Sequence, residues 1–328
     1  MNLWKISAGT ACVIGKKKIK ANALPTTAYI MLGEKCKNNC QFCAQSRESG
    51  ARSDLLSRVT WPVVASEEAA TGIDTAYESG TIKRACLQVV DSSDSWDTTV
   101  SALDLLHRNS KVPICVSSHL ETVEQAEKLV ARGAQRVCIA LDAVTPELYA
   151  KVKNGDWAAK WNLLLSCAKA LPGRITTHLI VGLGESEEEI VERMAICTDK
   201  GISIGLFAFT PVRGTALADR LPPDISQYRR VQIAHHLLQR GYQQDVIGYE
   251  NGCIAEFKVP EADLFAILRD GKAFQTSGCA DCNRPYYNER PGGVMYNYPR
   301  SLTPMEVTKA IEECGIMRRE QYELASYS

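Results

Sequence analysis

Along residues 26–276, short runs of β-branched and other apolar residues alternate with longer segments whose apolar positions recur at three- and four-residue spacing. The short runs read as buried strands and the longer ones as amphipathic helices. Their alternation is the pattern of βα units wound around a parallel sheet. Strands are expected at Ala28–Leu32, Arg84–Asp91, Val112–Ser118, Arg136–Asp142, Ile175–Gly182 and Ile202–Thr210. Helices are expected at Glu67–Glu78, Thr98–Arg108, Thr122–Arg132, Trp157–Ala170, Glu187–Lys200 and Ser226–Arg240. Two shorter runs, Asp245–Tyr249 and Ala273–Thr276, the latter after a helical Pro260–Arg269, bring the strands to eight. Eight is the count of a complete (β/α)8 barrel of the TIM type. A six-stranded open barrel with a C-terminal lobe is the alternative. Residues 1–25 form a lead-in, 26–276 the α/β barrel, and 277–328 a C-terminal tail rich in aromatics and cysteine that closes on a helix at Pro304–Cys314.

Directly after the first expected strand comes Cys36-Lys-Asn-Asn-Cys40-Gln-Phe-Cys43. The loop therefore lies at the carboxyl end of a strand, where α/β barrels place their chemistry. Three close thiolates can bind three corners of a cubane iron–sulfur cluster and leave the fourth iron open. A structural zinc site would want a fourth ligand and usually shows two separated pairs. A zinc knuckle or free thiols are the plain alternatives.

The 328 residues carry 38 acidic and 38 basic side chains, so a nucleic acid is not the expected main partner. No run is apolar and long enough for a membrane span, and the opening residues lack a signal-peptide core. Thirteen cysteines in a long chain without that signal point to metal ligation and buried thiols in the cytoplasm rather than to disulfides.

The C-x3-C-x2-C spacing with an aromatic before its last cysteine resembles the radical S-adenosylmethionine (SAM) superfamily, and most closely its biotin synthase-like branch. The resemblance covers roughly Thr26 to Tyr249. It includes Cys43-Ala-Gln-Ser46, Leu141-Asp142, Val181-Gly-Leu-Gly-Glu-Ser186 and Arg213-Gly-Thr-Ala-Leu-Ala-Asp219. It implies that Cys36, Cys40 and Cys43 hold a 4Fe-4S cluster whose open iron is chelated by SAM. It also implies that Phe42, Asp142, Ile180, Gly182 and Gly184 contact that cofactor, Asp142 through the ribose hydroxyls and the Gly-rich stretch beside the adenine. A helix N-cap is the alternative role for Asp142. Biotin synthases hold a second cluster on three strand cysteines and an arginine. Cys86 and Cys115 align with two of them, but Thr176 and Gln244 stand at the other two positions, so a biotin synthase is not expected. Cys86, Cys115 and Cys138 are either buried core thiols or ligands of a cluster deep in the barrel.

The tail holds a second constellation, Gly278-Cys279-Ala-Asp-Cys282-Asn-Arg284-Pro-Tyr-Tyr287. Following the eighth expected strand, it should share the barrel mouth with the first loop. A C-x2-C pair needs further ligands, for which Cys253 and Cys12 are candidates; a redox pair is the rival. This pair, with Arg-Pro-Tyr-Tyr and Tyr-Asn-Tyr-Pro behind it, resembles the two-component lipoyl synthases. That resemblance implies an auxiliary cluster as sulfur donor and insertion of sulfur into a protein-bound octanoyl chain. It implies as partners a related second lipoyl synthase protein, an octanoylated carrier such as an H-protein or E2 domain, and an electron donor such as ferredoxin or flavodoxin. Methylornithine-type rearrangement is the runner-up, and a non-enzymatic partner that docks the carrier or donates iron–sulfur is a third reading.

Overall fold

The computed structural model describes residues 2–289 and 292–316; of the expected tail, 290–291 and 317–328 lie outside the described residues. In chain order the elements are β1 (Leu3–Ile6), α1 (Ala8–Val13), β2 (Thr27–Leu32), β3 (Leu55–Leu56), β4 (Val59–Thr60), β5 (Val63–Ala65), α2 (Ser66–Glu78), β6 (Arg84–Val89), α3 (Ser95–Asn109), β7 (Ile114–Ser117), α4 (Val123–Ala131), β8 (Ala134–Cys138), α5 (Pro146–Lys153) and α6 (Trp157–Ala170). They continue as β9 (Ile175–Val181), α7 (Glu187–Asp199), β10 (Ser203–Ala208), α8 (Ile225–Gln239), β11 (Ile247–Glu250), β12 (Cys253–Phe257), α9 (Glu261–Leu268) and α10 (Pro304–Glu312).

The class is α/β, built on a mainly parallel sheet of eight strands in the order β10-β9-β8-β7-β6-β2-β1-β5. β2, β6, β7, β8, β9 and β10 pair in parallel, and they are the six strongest runs of the sequence. β1 is antiparallel to both β2 and β5, so the lead-in extends the sheet. Helix starts follow from local capping. Thr122, Ser186 and Thr303 each close a capping box with Gln125, Glu189 and Glu306.

The seventh and eighth strands of the sheet are thus not the expected ones. Residues 247–250 leave the sheet and pair with β12 as an antiparallel hairpin. The cause is the dipeptide Asn251-Gly252, with φ of 51° and 76°. Both left-handed residues suit a two-residue hairpin loop, which Asn-Gly favours over any crossover. Residues 272–274 form a single 3₁₀ turn, and Gln275 makes one isolated bridge, to Tyr298. The tail then runs along the edge of β10, where Ser277 Oγ accepts the Leu206 N–H at 2.9 Å. The arrangement matches the six-stranded alternative, its open side covered by the lead-in and the tail.

Alternation along the parallel strands puts one row of side chains inside at each level. Tyr29, Cys86, Cys115 and Arg136 share one row. Met31, Gln88, Ser117, Cys138, Thr176 and Ser203 share the next, towards the carboxyl ends. No described helix is long and apolar enough to cross a membrane.

The tail is pinned to the barrel by Arg229 of α8, which is 1% exposed. It donates to the carbonyls of Met295 and Tyr296 at 2.6 and 2.7 Å, to Gln232 at 2.7 Å and to Glu313 at 2.9 Å. Arg229→Met would leave the Met295 carbonyl without its donor and strip Tyr296 O and Glu313 of their closer one. It should lower stability by about 3–5 kcal/mol, the range for breaking a buried pair. A urea titration should show a lower midpoint at constant slope; an unchanged midpoint would mean the tail is held otherwise.

Candidate functional site

The loop after β2 is clamped from three directions. Below it, Lys37 N–H and the Asn38 amide bond the main chain and carboxylate of Asp91 at 2.7 and 2.9 Å. From the side, Gln41 N–H bonds the Val152 carbonyl of α5 at 2.8 Å. From residues after β10, the Gly214 carbonyl takes the Gly50 N–H at 2.8 Å and Leu217 N–H bonds Gln41 O at 3.1 Å. Inside the loop Cys43 N–H turns back on Cys40 O at 3.0 Å. Burial pushes the Cys40 and Cys43 thiols up to about 11 and about 12. A bound cationic cluster would supply the charge that keeps such thiols ionised. A cavity of about 460 Å³ opens beside Cys36 and Cys40 and is bordered by Asp91, His119, Lys153 and Lys160. That is within the size range of small-molecule sites.

The residues expected to contact SAM gather on the other flank. Phe42, Asp142 and Ile180 line a second cavity with Cys43. Asp142 adopts φ 65°, a left-handed conformation that costs a non-glycine residue energy. Its backbone bridges to β9, donating to His178 O and accepting from Ile180 N–H, both at 2.8 Å. The carboxylate holds Lys153 Nζ at 2.7 Å, and Lys153 also bonds Ala140 O at 2.9 Å. Burial works against the charge of Lys153, but Asp142, Cys40 and Tyr149 together outweigh it and the amine is raised. Asp142 is not an N-cap, because Thr145 caps α5. Gly182 and Gly184 follow β9 with φ of 100° and 128°, and a Cβ on Gly182 would lie 2.9 Å from Pro223. The Glu185 carboxylate accepts the N–H groups of residues 182–184 and fixes this turn.

The second constellation is not at the mouth. Because residues 273–276 are no barrel strand, the chain passes below the amino ends of β2 and β6. There Thr26 Oγ1 donates to Asp281 O and Arg84 Nε to Ala280 O at 2.6 Å. Cys279 and Cys282 therefore enter the barrel from below and meet the strand cysteines. Cys115 Sγ lies 3.3 Å from Cys279 Sγ, and Arg84 Nη1 donates to Cys115 at 2.7 Å. Tyr29 Oη lies 3.1 Å from Cys282 Sγ. Cys86 is raised by burial and, beyond that, by the nearby Cys279, Cys282 and Cys138. The mutual hydrogen bond of Cys115 and Cys279 raises Cys115 and, against burial, brings Cys279 down to about 6, with Arg84, Arg136 and Arg284 adding to it.

Cys253 does not join this group; it is exposed on β12, which the Asn-Gly hairpin carries away from the barrel. Cys12 sits on α1, with no sulfur contact among the described residues. Gln244 starts the 3₁₀ turn before β11 and does not face the interior. The guanidinium groups near the inner thiols belong to Arg84, Arg136 and Arg284 instead. Arg84 could have been found by its period-two spacing from Cys86. No three described His, Cys, Asp or Glu side chains converge as on a single metal ion. A cluster takes its thiolates at separate corners; Cys86, Cys115, Cys279 and Cys282 come near one another from different elements.

The two levels are separated by a thin wall. Tyr29, Met31, Trp61 and Val90 pack together, touching Cys36 on one side and Cys86 and Cys282 on the other. Tyr287 stands in the same partition, edge-on to Phe207 at 5.5 Å. Burial raises its hydroxyl, and both Cys43 and Cys86 are near enough to add to that.

The Radical SAM superfamily model matches residues 30–196. Ribosomal protein uS12 methylthiotransferase RimO of Syntrophobacter fumaroxidans is 27% identical over 73% of this chain and 56% of its own. Lipoyl synthase of Actinobacillus pleuropneumoniae serotype 3 is 29% identical over 55% of this chain and 53% of its own. The chain thus spans little more than half the length of these relatives. The crystal structure of methylornithine synthase (PylB) covers 91% of this chain and is itself covered to 85%, with a TM-score of 0.52 and 14% identity, a likeness of fold.

Replacing Cys36, Cys40 and Cys43 together with Ala should leave the fold intact, since the loop is held by its backbone, and should abolish SAM cleavage. Production of 5′-deoxyadenosine by the triple variant would sink the assignment of these three thiols. Asp142→Ala should weaken SAM binding by about 1.5–3 kcal/mol, the range for hydrogen bonds to a charged group. Calorimetric titration checks this, and an unchanged affinity would leave Asp142 as the counter-ion of Lys153 alone.

Proposed function

The chain belongs to the radical SAM superfamily, and we propose that it is a sulfur-inserting member acting on a protein-bound octanoyl chain, as in lipoyl cofactor synthesis. The observation that carries this reading is the group of four thiols, Cys86, Cys115, Cys279 and Cys282, one thin wall away from the Cys36 loop. When bound, SAM at a reduced cluster would supply the 5′-deoxyadenosyl radical, and an inner cluster would supply sulfide. The protein's own task is to hold the substrate carbon between the two and to keep water out. Tyr29, Met31, Trp61 and Tyr287 provide the apolar walls for that. Arg84 orients Cys115 and, through Ala280, the tail.

Among the relatives, the methylthiotransferase and the lipoyl synthase also support sulfur chemistry in general. The octanoyl specificity rests on the tail's resemblance. Rearrangement of a carbon skeleton would leave the inner thiols and their arginines without a task. The partners that go with this reading are a related second synthase protein, an octanoylated H-protein or E2 domain, and ferredoxin or flavodoxin.

Cys279→Ala/Cys282→Ala should spare the upper loop, whose supports are local. Iron and sulfide should fall from near eight per chain towards four, the content of one cubane each. SAM cleavage should persist in part while thiolation of an octanoyl-lysine peptide, read by mass spectrometry, is lost. Thiolation at the wild-type level would return the pair to a structural role. Failure of the wild-type protein, with its sister protein added, to thiolate the peptide would count against the octanoyl substrate.

A further inference from the structure

The lead-in and the tail do not seal the open side of the sheet completely. Between them lies a cavity of about 210 Å³. Its outer part is lined by Ala21, Ala23 and Pro25 of the lead-in, and its inner part by Tyr29, Trp61 and Tyr287. Asn22 N–H bonds Tyr286 Oη at 3.1 Å and bridges the two segments beside it. The inner end is placed where neither cysteine group is far. Tyr29 touches Cys282 Sγ, and Tyr287 lines both this cavity and the one that holds Cys43. Ala21 and Ala23 are small, apolar and only half-buried, while Pro25 is buried, so the cavity opens outwards past the alanines.

We propose that this lateral cavity is the acyl site: an unbranched medium-length chain enters between lead-in and tail and ends against Tyr29 and Tyr287. The proposal deepens the functional reading above and rests on it. Small side chains leave room for methylenes; no acidic side chain borders the cavity, and of the two arginines at its edge, Arg58 and Arg284, the latter is turned to Ser277 O and the Phe207 ring. An unbranched chain fits such a slot better than a polar or ringed ligand. Entry through the side also lets a carrier protein stay outside while only its acyl-lysine reaches in.

The test is equilibrium binding of octanoyl-, hexanoyl- and butyryl-lysine peptides to the full chain, reconstituted and kept oxidised with SAM present, so that nothing turns over. Each buried methylene is worth about fourfold in affinity, so hexanoyl should bind roughly fifteenfold more weakly than octanoyl. Ala23→Phe, at the mouth of the slot, should weaken binding of all three acyl peptides at least tenfold and leave SAM binding unchanged. Ala21→Leu, a smaller change in the same wall, should cut octanoyl binding several-fold and serves if the first variant fails to fold. Length-dependent binding by the wild type that neither variant alters would overturn the cavity and leave the functional reading standing. Absence of binding to any acyl peptide by the wild type would instead remove the octanoyl reading on which the proposal rests.

Discussion

Six parallel strands do not close on themselves, and everything else in this molecule answers to that. An open sheet leaves N–H and C=O groups along its edges, which proteins must pair or cover. On one side β1 and β5 add antiparallel partners to β2. On the other, β10 is met by Ser277 Oγ at Leu206 N–H and by the Asn288 amide at Ala208 O. The segment between those two contacts is the one that carries Cys279 and Cys282. Covering the edge and delivering the thiols are therefore one structural act. Arg84 ties it off, since its guanidinium reaches Ala280, Cys115 and Gln135 together.

The charge balance inside the barrel follows from the same closure. A guanidinium removed from water needs an anion or full hydrogen bonding. Arg136 finds Ser203, Arg284 stacks over Phe207 at 3.8 Å and bonds Ser277 O, and Arg84 bonds a thiol. Around them stand four cysteines, of which Cys115 and Cys279 are the ones whose ionised forms these cations favour. At the upper level the logic is repeated once, by Lys153 and Asp142. The interior is thus paired level by level, while Tyr29, Met31 and Trp61 keep the two levels apart.

Much of the fold was legible because it is local. Each of the six parallel strands falls within or beside its expected run, since β-branched clusters bounded by amphipathic helices leave little choice. The helix α5 was missed although Thr145-Pro146 is a cap followed by a favoured first residue. The hairpin was missed although Asn251-Gly252 announces it. The three thiols of the upper loop were readable because their ligand spacing lies within eight residues. The inner site was not, because its thiols come from β6, β7 and the tail, and only the tail's path brings them together. Naming Cys253 and Cys12 followed from assuming a complete barrel. Once the eighth strand is absent, the tail goes under the sheet and the strand cysteines become its partners.

That path is not the one the tail's own residues prefer. Asp281, Arg284 and Tyr286 have φ of 60°, 32° and 59°, the left-handed region that side chains disfavour. Each such residue costs on the order of 1–3 kcal/mol and persists only where surroundings over-determine it. Here they do. Thr26 and Arg84 hold the carbonyls of Asp281 and Ala280, Asn283 bonds Thr26 N–H, Leu24 O and Pro299 O, and Arg284 N–H bonds the Tyr29 hydroxyl. Asp142 is strained in the same sense at the upper level, and the Lys153 ion pair holds it there. Local preference and final conformation disagree at both cysteine levels. In a chain otherwise consistent from propensity to packing, that disagreement is expected where geometry serves chemistry.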